Sequence, residues 1–196
     1  RVTLTGVKHA EATLMAGFTT VRNVGAPGFA DVALRDAIND GDIQGPRMFV
    51  SGPSLGVTGG HCDNNLLPYE FHSVSEGVAD GPWAVREIVR RNIKYGATVI
   101  KFCGTGGVLS KGTKVGVQQY TFEEMQALVD EAHMRGLTVA THAHGTSGIK
   151  TAIKAGVDSV EHVSLLDEVG IELALEHGTY FSMDIYVTEY ILSEGE

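Results

Sequence analysis

Cysteine is scarce in this chain, and its two copies, Cys62 and Cys103, lie far apart and match no C-x-x-C pattern. A disulfide framework is therefore not expected, and a reduced, cytoplasmic setting is the default. Positive charge is also in short supply. Fifteen Lys and Arg stand against 24 Asp and Glu, a net charge of −9, which argues against a nucleic-acid-binding surface and against an anionic membrane as partner. No apolar run approaches the ~18 residues of a membrane span. No secretory signal opens the chain, because RVTLTGVKHAEATLMAGFTT mixes polar and apolar residues in the manner of a surface helix. An initiating Met is missing, and the chain stops at YILSEGE without a closing element, so both ends read as cut. What remains is ordinary for a globular domain: 43% hydrophobic and 20% charged residues over 196 positions, enough for one sizeable core.

The strongest pattern present is a repeated handover from helix to strand. An amphipathic stretch ends in Gly and a short β-branched run follows, in AGFTTVRNVG (16–25), YGATVIKFCG (95–104), RGLTVATHAHG (135–145), AGVDSVEHVS (155–164) and HGTYFSMDIY (177–186). GDIQGPRMFVSGP (41–53) is a weaker sixth copy. Glycine suits the position just past a helix, where the chain turns left-handed. Between these runs, Val85, Ile88, Val89 and Ile93 form one apolar helix face with Arg86, Arg90 and Lys94 turned away. Phe122, Met125, Val129 and Ala132 form another, opened by the capping box Thr121-x-x-Glu124. Residues 28–40 and 166–177 fit a helix more loosely. Strands alternating with helices predict parallel pairing. Gly turns at 136, 156 and 178, about 20 residues apart, predict the compact wall of a (β/α)8 barrel, with an open doubly wound sheet as runner-up. No G-x-G-x-x-G opens a helix after the first strand, which disfavours the dinucleotide-binding version of that sheet. Six strands account for only part of an eight-fold barrel.

In a barrel the chemistry sits at the C-terminal ends of the strands. Those ends carry Arg22, Lys101, His142 with His144, His162 and Asp184. Neutral imidazoles are good zinc ligands. A buried lysine loses proton affinity, and a neutral amine can add carbon dioxide to become an anionic carbamate able to bridge two cations. Each residue alone has a plainer reading: a lysine beyond an edge strand, a hydrogen-bonded histidine at a core rim. Lys, His and His at matched positions of consecutive repeats favour a metal site. His9 and His133 fall in helices and read as surface residues, His177 sits at a helix C-terminus where a cation is mildly favoured, and His72 lies in a loop with no nameable partner.

The segments GFTTVRNVG, SGPSLGVTGGHCDNNLLP, YGATVIKFCGTGGV, VATHAHG and AGVDSVEH together resemble the amidohydrolase superfamily. The resemblance is to its branch of zinc-dependent Xaa-Pro dipeptidases (prolidases) and arginine or lysine carboxypeptidases, related to imidazolonepropionases. It implies a (β/α)8 barrel with a small β-sandwich, and an active site of two divalent metals, zinc in most members, bridged by a carboxylated lysine and a hydroxide. Carried onto this chain, Lys101 is similar to the carbamate-bearing bridge, His142 to the strand-5 ligand and His162 to the strand-6 ligand. His61 resembles a histidine that reaches the scissile carbonyl, and His144 falls where relatives contact substrate. The H-x-H pair of strand 1, the Asp of strand 8 and the sandwich have no equivalents, so residues 1–196 are expected to be about strands 2–7 of one longer barrel, inactive alone.

The resemblance implies metal-assisted hydrolysis of an amide next to a C-terminal residue. Arg22, Lys111 or protonated His144 are candidates for a substrate carboxylate. Asp63, Glu70 and Asp184 are candidates for a basic substrate side chain. The stretch 54–82 is long for a strand-to-helix loop, carries His61, and suits a wall of the substrate pocket. A small peptide or amide substrate and a homo-oligomer are expected, with no nucleic acid and no membrane. A cyclic-amide hydrolase or deaminase is the alternative within the superfamily, and a non-catalytic barrel fragment the alternative outside it.

Overall fold

The computed structural model describes residues 1–184 and 186–194. Six parallel strands alternate with helices: β1 Thr20–Asn23, β2 Arg47–Val50, β3 Val99–Cys103, β4 Thr138–Ala143, β5 Ser159–His162 and β6 Tyr180–Ser182. They are separated by α2 Ala30–Asn39, α3 Pro82–Lys94, α4 Phe122–Met134, α5 Thr146–Lys154 and α6 Glu168–His177. Helix α1 Val2–Met15 precedes them, with Ala10 its one buried residue. Helix α7 Val187–Glu194 follows, where no closing element was expected. All six strands fall inside the six Gly-led segments, so the α/β class with parallel strands is as predicted.

β1 pairs with β2, and β3-β4-β5-β6 form a continuous run, each pair parallel. The two runs adjoin: the Thr98 amide donates to the Val50 carbonyl at 2.8 Å, and Leu55 donates to Lys101 and accepts from Cys103 at 2.8 and 2.9 Å. Side-chain alternation divides the strands into two faces. Ile100, Phe102, Val139, Ala143 and Val160 enter the core beneath α3, α4 and α5 with Val85, Val89, Met125, Leu128, Ile149 and Ile153. Lys101, Ala140, His142, Ser159 and Glu161 alternate with them and so occupy the opposite, inner face. The sheet curves strongly about that face, because Arg22 on β1 reaches Ser159 and Glu161 on β5.

The helices are tied to the wall and to one another by polar contacts. Asp31, 4% exposed, accepts from the Ser51 and Gly52 amides at 3.1 and 3.0 Å, fixing α2 to the end of β2. The capping box of α4 is present, and Glu124 extends it. One carboxylate oxygen accepts the Thr121 amide at 2.8 Å, while the other accepts the amide of Gly81, the N-cap of α3, at 2.7 Å. Arg86 and Arg90 do not simply face water as predicted: both cross to Glu131 on α4, itself 1% exposed.

One expectation is overturned. Cys62 and Cys103 are joined by a disulfide across 41 residues, with Cα atoms 6.2 Å apart. The loop after β2 folds back along β3, through Leu55 and its two hydrogen bonds, and brings together cysteines that no sequence spacing relates. The inference of a reducing compartment rested on unpaired thiols and loses that support. Among the described residues, no helix is long and apolar enough to cross a membrane.

Candidate metal centre

His142 is delivered by ordinary strand geometry. It lies two residues after Ala140 on β4, opposite Cys103 of β3 and Glu161 of β5, and so projects to the inner face. His144 follows two residues later. Its amide is held by Thr105 Oγ1 at 3.0 Å, and its Nδ1 meets Ser164 Oγ at 2.7 Å.

His162 needs something more. Alternation with Val160 would turn it toward the helices. Instead its backbone is left-handed, φ 77°, and the Val163 amide bonds back to the Glu161 carbonyl at 3.1 Å, the i to i+2 bond of a γ-turn. The positive-φ form of this turn is rare and strained. Val163 continues it at φ 47°, an uncommon state for a β-branched residue. The turn swings the imidazole back to the inner side, where its ring centroid lies 4.7 Å from that of His142 and 4.9 Å from that of His144. Asp184 Oδ2 contacts its Nδ1.

The loop after β2 adds His61, stacked on His142 with centroids 4.2 Å apart. Its amide donates to Gln119 Oε1 at 3.0 Å. Its ring lies against Gly107, where a Cβ would collide with it, so only glycine admits the imidazole at this depth. Lys101, on the inner face of β3, is 7% exposed. It lines one cavity of ≈ 480 Å³ with Arg22, Glu161, His162 and Asp184.

This arrangement suppresses positive charge. Burial is the largest cause in every case. It pushes Lys101 down to about 8, with Arg22 adding to the effect and Glu161 and Asp184 opposing it. His142 is pushed down to about 2, with help from His61, His144, Lys101 and His162. His144 is pushed down to about 4, and His61 is also lowered. Neutral imidazoles keep a lone pair for a cation. Each of His142, His144 and His162 offers a ligand nitrogen, and the three atoms all lie within 4.8 Å of one another. His142 Nε2 and His61 Nδ1 are buried without a hydrogen-bond partner among the described residues. Buried polar atoms are rarely left unpaired, and a divalent cation is a partner that His142 Nε2 could take. Asp184 against His162 is a contact of the kind that orients an imidazole in a metal site, and Ser164 fixes the ring of His144. The residues fit a metal.

The structure thus brings Lys101, His142, His144, His162 and His61 into one cluster. Arg22 adjoins it, but its guanidinium is engaged by Ser159 and Glu161. Lys111 is exposed on the loop after β3, and Glu70 is exposed on the short turn Tyr69–Phe71. Asp63 accepts the Gly59, Asn64 and Ser75 amides and organises its own loop. His133 pairs with Asp158 at 2.8 Å, away from the cluster. The role of Glu161 was not anticipated. Its signal was SVEH, where Ser159 and Glu161 flank a valine in a short strand.

Comparisons with known proteins agree in direction. Residues 2–194 match the model of the amidohydrolase family. A Xaa-Pro dipeptidase crystallised with methionine in its active site superimposes with a TM-score of 0.94 at 41% identity, over 98% of this chain and 48% of that one. Ochratoxinase from Aspergillus niger is 39% identical over 199 residues, 93% of this chain and 41% of the ochratoxinase sequence. Its crystal structure superimposes with a TM-score of 0.88 at 34% identity, over 97% of this chain and 46% of that one. The chain therefore spans less than half the length of these relatives. A family match running through nearly every described residue, with the inner-face cluster at its centre, leads to one conclusion: this chain belongs to the amidohydrolase family.

Proposed function

We propose that the protein containing this chain is a metal-dependent amidohydrolase built on a (β/α)8 barrel, cleaving the peptide bond next to a C-terminal residue of a small peptide. The substrate is a Xaa-Pro dipeptide or a peptide ending in Arg or Lys. The observation that carries this reading is the buried, unpartnered Nε2 of His142 amid neutral imidazoles. Similarity to a Xaa-Pro dipeptidase and to an ochratoxinase supports amide hydrolysis.

In this reading His142 and His162 are ligands to a pair of divalent ions, zinc by the preference of imidazole donors. Lys101 would join them in holding the ions, as a carbamate formed when its neutral Nζ bonds to the carbon of carbon dioxide and releases one proton. Burial favours this by keeping Lys101 short of full protonation near neutral pH. When bound, such ions acidify water and polarise a carbonyl oxygen. His61, held at depth by Gly107 and Gln119, donates an N–H toward the substrate carbonyl as negative charge develops there. His144, fixed by Thr105 and Ser164, orients the substrate.

The test is a screen of the full-length protein, metal-stripped and zinc-reconstituted, against Xaa-Pro and Xaa-Arg dipeptides. Zinc-dependent release of the C-terminal residue is expected. Turnover confined to imidazolone or hydantoin rings would move the assignment to a cyclic-amide hydrolase. No zinc uptake and no hydrolysis would end the enzyme reading.

A further inference from the structure

The γ-turn at His162 stores strain at the point where a ligand must be aimed, and strained residues persist only when their surroundings over-determine them. Two hydrogen bonds restrain the far side of the turn: the Val163 amide also reaches the Ala143 carbonyl at 3.2 Å, and the Leu165 amide reaches the His144 carbonyl at 2.9 Å. The near side is Glu161. Its backbone closes the turn, and its side chain is 8% exposed. That carboxylate is gripped from across the inner face. Arg22 Nη2 donates to Glu161 Oε1 at 2.7 Å, Arg22 Nη1 donates to Ser159 Oγ at 2.6 Å, and Ser159 Oγ donates to Glu161 Oε1 at 2.8 Å. The three groups close a ring of hydrogen bonds spanning β1 and β5.

An arginine used to bind a substrate carboxylate needs a free fork. Here both terminal nitrogens are committed within the protein, to the residue that precedes His162 and to one two positions earlier on the same strand. We propose that Arg22 is a positioning residue: by clamping Glu161 through a ring completed by Ser159, it fixes the γ-turn that aims His162 at His142, and so sets the metal affinity of the site. The proposal rests on reading His142 and His162 as ligands. It replaces the substrate-binding role expected of Arg22 from its place at a strand end.

The experiment measures zinc affinity of the metal-stripped full-length protein by competition with a chromogenic chelator, with the absorption spectrum of the cobalt-substituted form as a report on ligand geometry. Arg22→Met and Glu161→Gln are each expected to weaken zinc binding by roughly 10–100-fold, the scale of losing an outer-shell partner, and to alter the cobalt bands. The double variant should be little worse than the weaker single one, because the two act as a unit. Ser159→Ala perturbs the fold least and should lose several-fold, with Ser159→Thr restoring the affinity. That pair keeps the proposal open to refutation if Arg22→Met does not fold. Unchanged zinc affinity and cobalt spectrum in Arg22→Met, or in Ser159→Ala where Arg22→Met does not fold, overturns it; a raised KM for carboxylate-bearing peptides would then return Arg22 to substrate binding. The underlying ligand assignment fails separately, if His142→Ala binds zinc as well as the parent protein.

Discussion

Two neighbouring strands present histidines to the same cluster by opposite means. The end of β4 uses regular alternation, so His142 arrives without a left-handed residue in its backbone. The end of β5 is one residue out of phase, and His162 arrives through consecutive left-handed residues with Asp184 against its ring. A side chain on a regular strand is aimed by the hydrogen-bond ladder that every residue shares. One on a strained turn is aimed by specific partners, and each of those is a point of failure. The difference predicts that His142, the proposed ligand on β4, depends on few residues beyond itself, while His162, the proposed ligand on β5, depends on many.

The largest effect belongs to the proposed ligands themselves. His142→Ala and Lys101→Ala should each reduce zinc affinity and hydrolysis in the full-length protein by more than the roughly 100-fold that outer-shell losses reach, read by metal analysis and turnover. Next comes the asymmetry between the strands. Asp184→Asn should weaken zinc binding by roughly 10–100-fold. Ser164→Ala, which removes one hydrogen bond from His144, should raise KM about fivefold, the equivalent of about 1 kcal/mol, with bound zinc unchanged. Equal effects of the two on metal content would erase the distinction.

Acid should separate the metal-free and loaded states. The unfolded chain protonates its histidines near pH 6.5, whereas burial holds His142 near 2 and His144 near 4 in the fold. Between those limits the unfolded state binds more protons, so stability rises with pH. The urea midpoint of the stripped protein should fall as pH drops from about 6.5 toward 4, and His144→Gln should flatten that fall. The smallest effect tests the strain directly. Val160 and Val163 are both buried, at 0% and 5% exposure, but only Val163 has positive φ. Val163→Gly should be less destabilising than Val160→Gly by about 1–3 kcal/mol, the strain that glycine relieves, measured by chemical unfolding.

Much of this wall was legible in the sequence because each repeat carries its own punctuation. Gly96, Gly136, Gly156 and Gly178 close helices and introduce strands, which was enough to put Lys101, His142 and His162 on or at the ends of neighbouring strands, though not in one register. What was hidden depends on curvature or path. Arg22 and Glu161 are 139 residues apart, and nothing local says that β1 faces β5. The γ-turn was invisible because no glycine marks it: His162 adopts positive φ under tertiary constraint. The disulfide depends on where the loop after β2 travels. Arg86 and Arg90 looked like a solvated face because Glu131 belongs to the next helix.

Glu124 carries a consequence beyond its own helix. Its two oxygens receive the N-cap amides of α3 and α4, and α3 has no side-chain cap of its own. The first turns of two successive repeats therefore fray or hold together, and a unit that looks modular in sequence is cooperative in its opening. In such a wall, the boundary between one βα module and the next is no place to cut or recombine the chain.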